Sequence, residues 1–434
     1  MSSFRLPVLA LASLIAFPCL ALAGPFDATR TTLRNGMQVV LSPDSLATTV
    51  DVALWFPAGS RHERAGQQGL ALLAAQAAFR NAATDVLAPL EAVGGTGALV
   101  TTADYTSFSA TVPADAFAGA LAFLAERAPG RTTTATDLAT ERAAIRDERA
   151  RAERTPVQRA LARLWAATWP GHAYARIGAL PDAGSDKLTP ADVDAWRRTR
   201  LAPSAAVLTV SGAFDPTAAL AAVRERFESR PRVTVSAVAP VVPRAPQRAT
   251  ERMDVPVRLC LVGWRAPGVG DADAAALELL AAWLGGSPRA RLGRALVEDW
   301  KLAVTAQAGL VSQQEGSLLW TLAVVAPDAD SSAVESTLLD AVAGVARTAP
   351  EAFEVERARR QVESALGFAS QTSRQRGQAI GEGERLVGAD AAARRLAALR
   401  AVTGADLQRV AARVLVPASR ATLWVMPASD GGAR

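Results

Sequence analysis

Cysteine and histidine are almost absent from this sequence. Its 434 residues include two of each, Cys19 and Cys260, and His62 and His172. So few cysteines exclude a disulfide-stapled scaffold and a zinc site built from paired cysteines. A catalytic zinc or a serine triad would have to be built around His62 or His172, because imidazole is the usual ligand and base in such sites. We expect both histidines to be ordinary surface or loop residues.

Lysine is equally scarce. All but two of the 47 basic residues are Arg, the exceptions being Lys187 and Lys301, and the formal net charge is +5. The arginines alternate with Asp and Glu, as in Glu141–Arg154, and form no cationic tail. We therefore expect no nucleic-acid partner. The sequence also has no G-x-x-x-x-G-K-S/T phosphate loop and no G-x-S-x-G nucleophile elbow, so neither of those chemistries is indicated.

Long apolar runs are missing apart from one at the start of the chain. Leu6–Ala23 follows Arg5, is interrupted by Pro18 and ends on a small-x-small sequence at 21–23. A basic start, a short apolar stretch and small final residues are typical of a cleaved secretory signal, and a run so short and broken argues against a membrane anchor. We therefore predict a signal peptide at residues 1–23 and an exported, periplasmic protein with no membrane segment after cleavage.

Cleavage at this site would also remove Cys19 and leave one cysteine. Cys260 lies in Val257–Val262, which has the apolar composition of a buried strand. We expect a buried structural thiol there, not a nucleophile.

An internal repeat divides the chain. Leu188–Gly212 and Val402–Pro427 share a Thr, an Asp and a Pro at a constant offset of 214 residues. The matched residues are Thr189 and Thr403, Asp192 and Asp406, and Pro203 and Pro417. In each copy the Thr can cap a helix, the Asp stands in its first turn, and the Pro precedes a strand. The repeat predicts two similar domains, at residues 24–232 and 253–430, joined by a proline-rich linker at 233–252.

Strand and helix patterns are mixed within each half. Asn35-Gly36 predicts a hairpin turn before a strand at Met37–Leu41, and Thr49–Phe56 alternates as a half-buried strand does. Further helices are predicted at Gly69–Phe79, Ala114–Arg127, Thr140–Arg154 and Asp273–Leu284, and paired strands at Leu302–Leu310 and Leu318–Val325. Strands and helices do not alternate regularly. The predicted fold class is therefore α+β, with a mostly antiparallel sheet packed by helices in each domain.

Five segments in order along the chain carry a further pattern. They are Pro57–Phe79 (PAGSRHERAGQQGLALLAAQAAF), Leu90–Phe108, Glu141–Pro156, Gly171–Gly178 and Arg291–Ala303. Together they resemble the pitrilysin/insulinase metallopeptidases, the inverzincins, over nearly the whole mature chain. The resemblance implies that both domains are peptidase-like and that the pair forms one half of a clamshell around a substrate chamber.

In that family, a helix with H-x-x-E-H supplies two zinc ligands and the general base, and a later Glu supplies the third ligand. On this chain the two His positions fall on Leu72 and Gln76, and the base falls on Ala75. The third ligand falls on Glu148, with Glu141 as its upstream companion. Leu and Ala cannot bind zinc and a Gln amide is a poor ligand. The resemblance therefore implies no catalytic residue, no metal and no cofactor in this chain.

Many members of the family also hold their substrate with an Arg and a Tyr of the second domain. Those two positions fall here on Val297 and Val304. The expected substrate grip is thus missing together with the zinc ligands, and the resemblance implies a catalytically degenerate member.

Smaller members of the family often work as two-chain enzymes. The resemblance therefore implies a non-catalytic subunit of an exported heterodimeric zinc peptidase, whose partner is a zinc-bearing subunit and whose ligands are peptide substrates. Two alternatives stay open. One is a stand-alone peptide- or protein-binding module, and the other is an active metallopeptidase with a relocated metal site around Glu148, His62 or His172.

Overall fold

A computed structural model describes residues 26–80, 85–127, 132–178, 186–239 and 241–428. The predicted signal peptide at 1–23 lies outside these ranges. None of the helices within them has the length and hydrophobicity needed to span a bilayer. The chain is α+β, as predicted, and its strands form two mixed sheets of six and five strands.

The first sheet is built mainly from hairpins. Its strands are β1 (Thr29–Thr32), β2 (Gln38–Pro43), β3 (Thr49–Phe56), β4 (Thr96–Thr101), β5 (Thr106–Pro113) and β6 (Val207–Gly212). They lie in the order β1-β2-β6-β3-β5-β4, and only β2 and β6 run parallel. The Asn35-Gly36 turn joins β1 to β2 as predicted, with Gly36 at a φ of 99°.

The second sheet repeats this topology. Its strands are β7 (Arg248–Met253), β8 (Leu259–Ala266), β9 (Ala303–Val311), β10 (Ser317–Val325) and β11 (Arg420–Pro427). Their order is β7-β11-β8-β10-β9, and β7 with β11 is the single parallel pair. Strand β7 takes up residues 248–252 of the predicted linker, because those residues pair with β11.

Helices follow the strands in both halves. In the first half they are α1 (Leu70–Phe79), α2 (Ala88–Glu91), α3 (Phe117–Arg127), α4 (Ala135–Ala152), α5 (Pro156–Thr168), α6 (Pro190–Arg200) and α7 (Pro216–Phe227). In the second half they are α8 (Ala274–Gly285), α9 (Arg291–Gly293), α10 (Ser331–Arg347), α11 (Ala352–Phe368), α12 (Ser373–Leu386), α13 (Ala391–Ala401) and α14 (Gly404–Val414).

The repeated helix starts have the predicted geometry. The Thr189 hydroxyl accepts the Asp192 N–H at the start of α6, and Thr403 does the same for Asp406 at the start of α14. Both helix starts are capping boxes, because the Asp carboxylate accepts the Thr backbone N–H in return. Strands β6 and β11, which follow these helices, occupy equivalent positions in the two sheets.

Each sheet buries one face against helices of its own half. Leu54 and Phe108 of the first sheet pack with helices α1, α3 and α6 in one apolar core. Val262 and Leu319 of the second sheet pack with α8, α10 and α14 in another. Cys260 lies in that second core and is fully buried, as predicted, which raises the pKa of its thiol to about 12.

The other face of each sheet is covered by a helix from the opposite half. Helix α5 lies on β8 and β11 of the second sheet, where Leu164 and Trp165 pack with Leu261 and Leu423. Helix α12 lies on β3 and β6 of the first sheet. The alternation in Thr49–Phe56 predicted one buried face for β3, but α12 buries the second face as well.

Helix α12 contacts the first sheet closely and is held at both ends. Gly381 lies against Trp55, whose indole N–H donates to the Thr209 hydroxyl at 3.0 Å. Arg376, near the start of α12, lies 2.8 Å from Asp44, and Glu384, near its end, lies 2.6 Å from Arg30. The two halves are therefore joined by packing and by ion pairs.

The contact between Gly381 and Trp55 predicts that a substitution at Gly381 lowers the stability of the protein. A substitution at Gly367, a glycine of α11 without such a contact, should not. In a Gly381→Ala variant the new Cβ would lie 2.1 Å from the Trp55 ring. We expect a loss of about 1–3 kcal/mol in the free energy of unfolding, since the ring or helix must shift. A Cβ on Gly367 would meet no atom within 4 Å. Gly367→Ala should therefore leave stability unchanged or raise it by up to about 1 kcal/mol.

Urea denaturation of both variants would measure the difference. Equal stability of the two proteins would show that α12 does not rest on Trp55 as described.

Candidate functional site

Helix α1 carries the positions to which the family resemblance assigns the zinc motif. It begins after Gly69, which has a φ of 91°, and its first N–H groups are capped by a carboxylate from outside the helix. Glu63 Oε1 accepts the N–H of Gly69 and of Ala71, each at 3.0 Å. A negative charge is favourable at this end of a helix. No local capping pattern predicts this role, because Glu63 stands six residues before Gly69.

The three motif positions on α1 are packed into the fold. Leu72 is half-buried against the first core, and Ala75 is fully buried. Gln76 is also buried, and its Oε1 has no hydrogen-bond partner among the described residues. The helix thus presents hydrocarbon at two of the positions and one amide at the third.

Helix α4 packs beside α1 and carries two glutamates with different surroundings. Glu141 is buried, and its Oε2 lies 3.5 Å from Arg80, the residue after the last turn of α1. Burial raises the pKa of Glu141, although the Arg80 guanidinium opposes this. Glu148 is exposed to solvent. The carboxylate brought against α1 is therefore that of Glu141.

Both histidines lie in loop or turn segments, as one form of our expectation had it, but both are buried and neither is a surface residue. His62 lies in the turn before α1, where its Nδ1 accepts the Gly59 N–H at 3.0 Å. Burial, reinforced by the charges of Arg61 and Arg200, lowers the pKa of His62 from 6.5 to about 3. The imidazole is therefore neutral at physiological pH, and its hydrogen bond is to the backbone.

His172 belongs to a polar cluster between the two halves. We call this the junction cluster; it consists of Arg61, Asp104, His172, Tyr174 and Glu315. His172 Nε2 lies 3.1 Å from a Glu315 carboxylate oxygen, and the Tyr174 hydroxyl donates to Asp104 at 2.8 Å. Arg61 lies 2.9 Å from Asp104 and 2.5 Å from Glu315.

The junction cluster ties the first half to the turn between β9 and β10. The Gln314 N–H donates to Asp104 at 2.9 Å, and the Glu315 N–H donates to the Tyr174 hydroxyl at 3.0 Å. Burial raises the pKa of Asp104 and lowers that of His172, while the Glu315 carboxylate opposes the change in His172. These contacts give His172 a structural role at the junction of the halves.

The donor atoms of this region do not fit zinc. In the part of the chain that the structure describes, no three His, Cys, Asp or Glu side chains are grouped so that they could hold a metal ion. A catalytic zinc site needs three such ligands plus an open position. The structure therefore offers no support for a metal centre built from Glu148, His62 or His172.

The two positions to which the family resemblance assigns the substrate-holding Arg and Tyr lie at the edge of the second domain. Val297 is half-buried against the second core, in an irregular turn of helix at Arg294–Asp299. Val304, near the start of β9, is 62% exposed, and Trp300 between them is 68% exposed. Val297, Trp300 and Val304 offer apolar contact, and the exposed charged side chains between them in the chain are those of Glu298, Asp299 and Lys301.

Two strand edges complete the candidate site. Strand β4 ends the first sheet and β9 ends the second, at equivalent positions in the two topologies. An edge strand has unpaired backbone N–H and C=O groups, which can pair with an extended peptide. Within the described ranges, β4 and β9 each leave one edge of backbone N–H and C=O groups that pairs with no other strand.

Comparison with known proteins identifies similar sequences along most of the chain. A family model described as Insulinase (Peptidase family M16) matches residues 38–182, and one described as Peptidase M16 inactive domain matches residues 187–362. An uncharacterized zinc protease from Mycobacterium tuberculosis is 28% identical over 333 residues, which cover 72% of this chain and 74% of that protein.

Solved structures share the fold at low sequence identity. A protease from Helicobacter pylori superposes with a TM-score of 0.83 at 18% identity, covering 92% of this chain and 99% of that one. A peptidase M16 inactive domain from Pseudomonas fluorescens gives a TM-score of 0.81 at 17% identity, covering 92% and 98%. The two-domain arrangement is thus shared with these proteins.

The burial of His62 predicts an unusual titration. We expect the His62 ring to stay neutral down to about pH 4, since its pKa is lowered to about 3. The unfolded chain binds a proton at this residue near pH 6.5 and the native chain does not. Native stability should therefore fall as the pH drops below 6.5, by up to about 1.4 kcal/mol per pH unit from this residue.

Histidine-selective NMR between pH 8 and pH 4.5 would measure the two rings separately, with a His172→Gln variant to assign the His62 signals. An ordinary titration of His62 near pH 6.5 would contradict the buried position described here.

Proposed function

Because the chain belongs to the insulinase (M16) family of peptidases, we propose that it is a non-catalytic subunit that binds and encloses peptides beside a zinc-bearing subunit of the same family. The observation that carries this proposal is helix α1. It is intact, capped and buried, but it has Leu72, Ala75 and Gln76 where a catalytic helix needs two imidazoles and a carboxylate.

The preserved fold supports a role other than cleavage. The second half matches a model described as an inactive peptidase domain, and the first half matches the insulinase model. At the motif positions of α1 the first half has Leu72, Ala75 and Gln76. A chain in this state contributes a wall of the substrate chamber, and the partner contributes the zinc and the general base.

The geometry of the two sheet edges supports peptide binding. Strands β4 and β9 leave one edge each unpaired within the described ranges, and Val304 on β9 adds an exposed apolar side chain. An extended peptide can pair its backbone with such an edge while apolar side chains contact Trp300 and Val304. Recognition of this kind depends on backbone geometry, so a broad range of peptide sequences is accepted.

Export to the periplasm is part of the same proposal. The Arg5 start, the apolar run and the cleavage sequence at 21–23 support it. The mass of the protein purified from its native cell tests this part, because cleavage of the signal leaves Gly24 as the first residue. A mass that includes residues 1–23 would contradict it.

Co-purification tests the proposed partnership. We expect the tagged mature chain, recovered from its native cell, to bring down a stoichiometric second chain that has an intact H-x-x-E-H helix. Mass spectrometry identifies the companion. Recovery of this chain alone, or only with itself, would contradict the heterodimer and favour a stand-alone binding module.

A matched pair of substitutions tests where the chemistry lies. In the purified complex, Glu148→Gln in this chain should change peptidase activity by less than about twofold, as expected for an exposed residue. Replacing the Glu of the partner's H-x-x-E-H helix by Gln should abolish activity. The isolated mature chain should contain no zinc by elemental analysis and should cleave no peptide.

Chelator-sensitive hydrolysis by the isolated chain would overturn the proposal. Loss of that hydrolysis in Glu148→Gln would then assign the metal site to this chain.

A further inference from the structure

A cavity of about 510 Å³ lies beside the edge strand β1, away from helix α1 and its motif positions. Its walls come from three parts of the chain. Thr31 of β1 and Gln38 of β2 form one side, Arg385 and Gly388 at the end of α12 form another, and Gln314 of the β9–β10 turn closes it. The cavity exists because α12 crosses to the first sheet, and its volume is typical of small-ligand sites.

One of the two arginines in this cavity is already neutralised. Arg30 donates to Glu384 at 2.6 and 2.9 Å and lies 2.7 Å from Asp390. Glu384 also accepts the Asp390 backbone N–H at 3.0 Å. These groups satisfy one another, so they form a fixed wall of the cavity.

The other arginine has no such partner. Within the described residues, Arg385 forms no ion pair, and its buried Nε has no hydrogen-bond acceptor. Burial and the neighbouring charge of Arg61 lower the pKa of the Arg385 guanidinium, and the Asp104 carboxylate, which is already held by Arg61 and Tyr174, opposes this. By contrast, Arg61 is paired with two carboxylates, those of Asp104 and Glu315. A half-buried cation without an anion is costly, and a bound anion would remove that cost.

Neutral donors beside Arg385 are also available. Gln314 Oε1 accepts from Arg61 at 2.7 Å, which leaves the Nε2 amide of Gln314 without a hydrogen bond among the described residues. Thr31 contributes a hydroxyl to the same cavity. Across the lining side chains, Arg30, Arg385 and Glu384 sum to one positive charge, which matches a monoanion better than a phosphate dianion.

We propose that this cavity is a carboxylate-binding site in which Arg385 holds the C-terminal carboxylate of a peptide. A planar guanidinium matches a carboxylate with two parallel hydrogen bonds. The volume leaves room for the last side chains, and the edge of β1 lies next to the site for the peptide backbone. The proposal of a carboxylate site does not depend on the proposed function. The choice of a peptide as the source of the carboxylate rests on the proposed function.

Calorimetry on the full mature chain tests the site with three probes. They are the tetrapeptide Ac-Ala-Ala-Leu-Ala with a free C-terminal carboxylate, the same peptide with a C-terminal amide, and free propionate. We expect the free acid to bind at least about tenfold more tightly than the amide, because charge-assisted hydrogen bonds are the stronger kind.

Two variants with the same change in charge provide the control. Arg385→Met should abolish the preference for the acid. Arg394→Met, on the exposed surface of α13, should leave it unchanged. Arg385→Lys keeps the charge without the planar fork and should retain a reduced preference. If Arg385→Met does not fold, the Lys variant and the acid–amide pair on the unaltered chain still decide the question.

The outcomes separate this inference from the proposed function. Equal binding of acid and amide overturns the carboxylate site and leaves peptide binding intact. Binding of propionate that depends on Arg385, without binding of either peptide, supports the carboxylate site and removes the peptide as its source. No binding of any probe overturns the inference.

Discussion

Each sheet of this protein has two apolar faces, and helices of its own half cover only one of them. Helix α5 of the first half covers the second sheet, and α12 of the second half covers the first. Because an uncovered apolar sheet face is unfavourable in water, neither half can complete its own burial. The relative position of the halves, and every group located between them, depends on this reciprocal packing.

The reciprocal packing of α5 and α12 also explains where the buried charges lie. The chain uses Arg for nearly all of its cations, and several are brought to the junction of the halves. Arg61 is paired there with Asp104 and Glu315, so its burial is compensated. Arg385 comes to the same region on α12 but lines a cavity and forms no ion pair within the described residues, since the nearby Asp104 carboxylate is already paired with Arg61. Two arginines in similar burial thus have different roles, one structural and one available for a ligand.

Helix α1 shows that the fold of its domain does not require zinc-binding side chains. Its stability comes from burial on the first core and from the Glu63 cap, and neither requires zinc ligands. Leu72 and Ala75 add apolar contacts where a catalytic helix would carry polar groups. Gln76, with an unpaired buried oxygen among the described residues, is the one motif position on α1 that still has the polar character of a site. The architecture of the domain therefore does not depend on metal-binding side chains at these positions.

The sequence alone determined the local elements and the family. Asn35-Gly36 defines a hairpin, and the capping boxes at Thr189 and Thr403 define two helix starts. The motif segments identify the fold. Each of these features depends on residues that are close in the chain. Only the tertiary structure decided that α12 covers β3, that β7 joins β11, that both histidines are buried, and that Glu141 instead of Glu148 faces α1. Apolar periodicity shows that a helix has a face to bury, but not which sheet will bury it. That choice depends on contacts between residues hundreds of positions apart, such as Gly381 with Trp55.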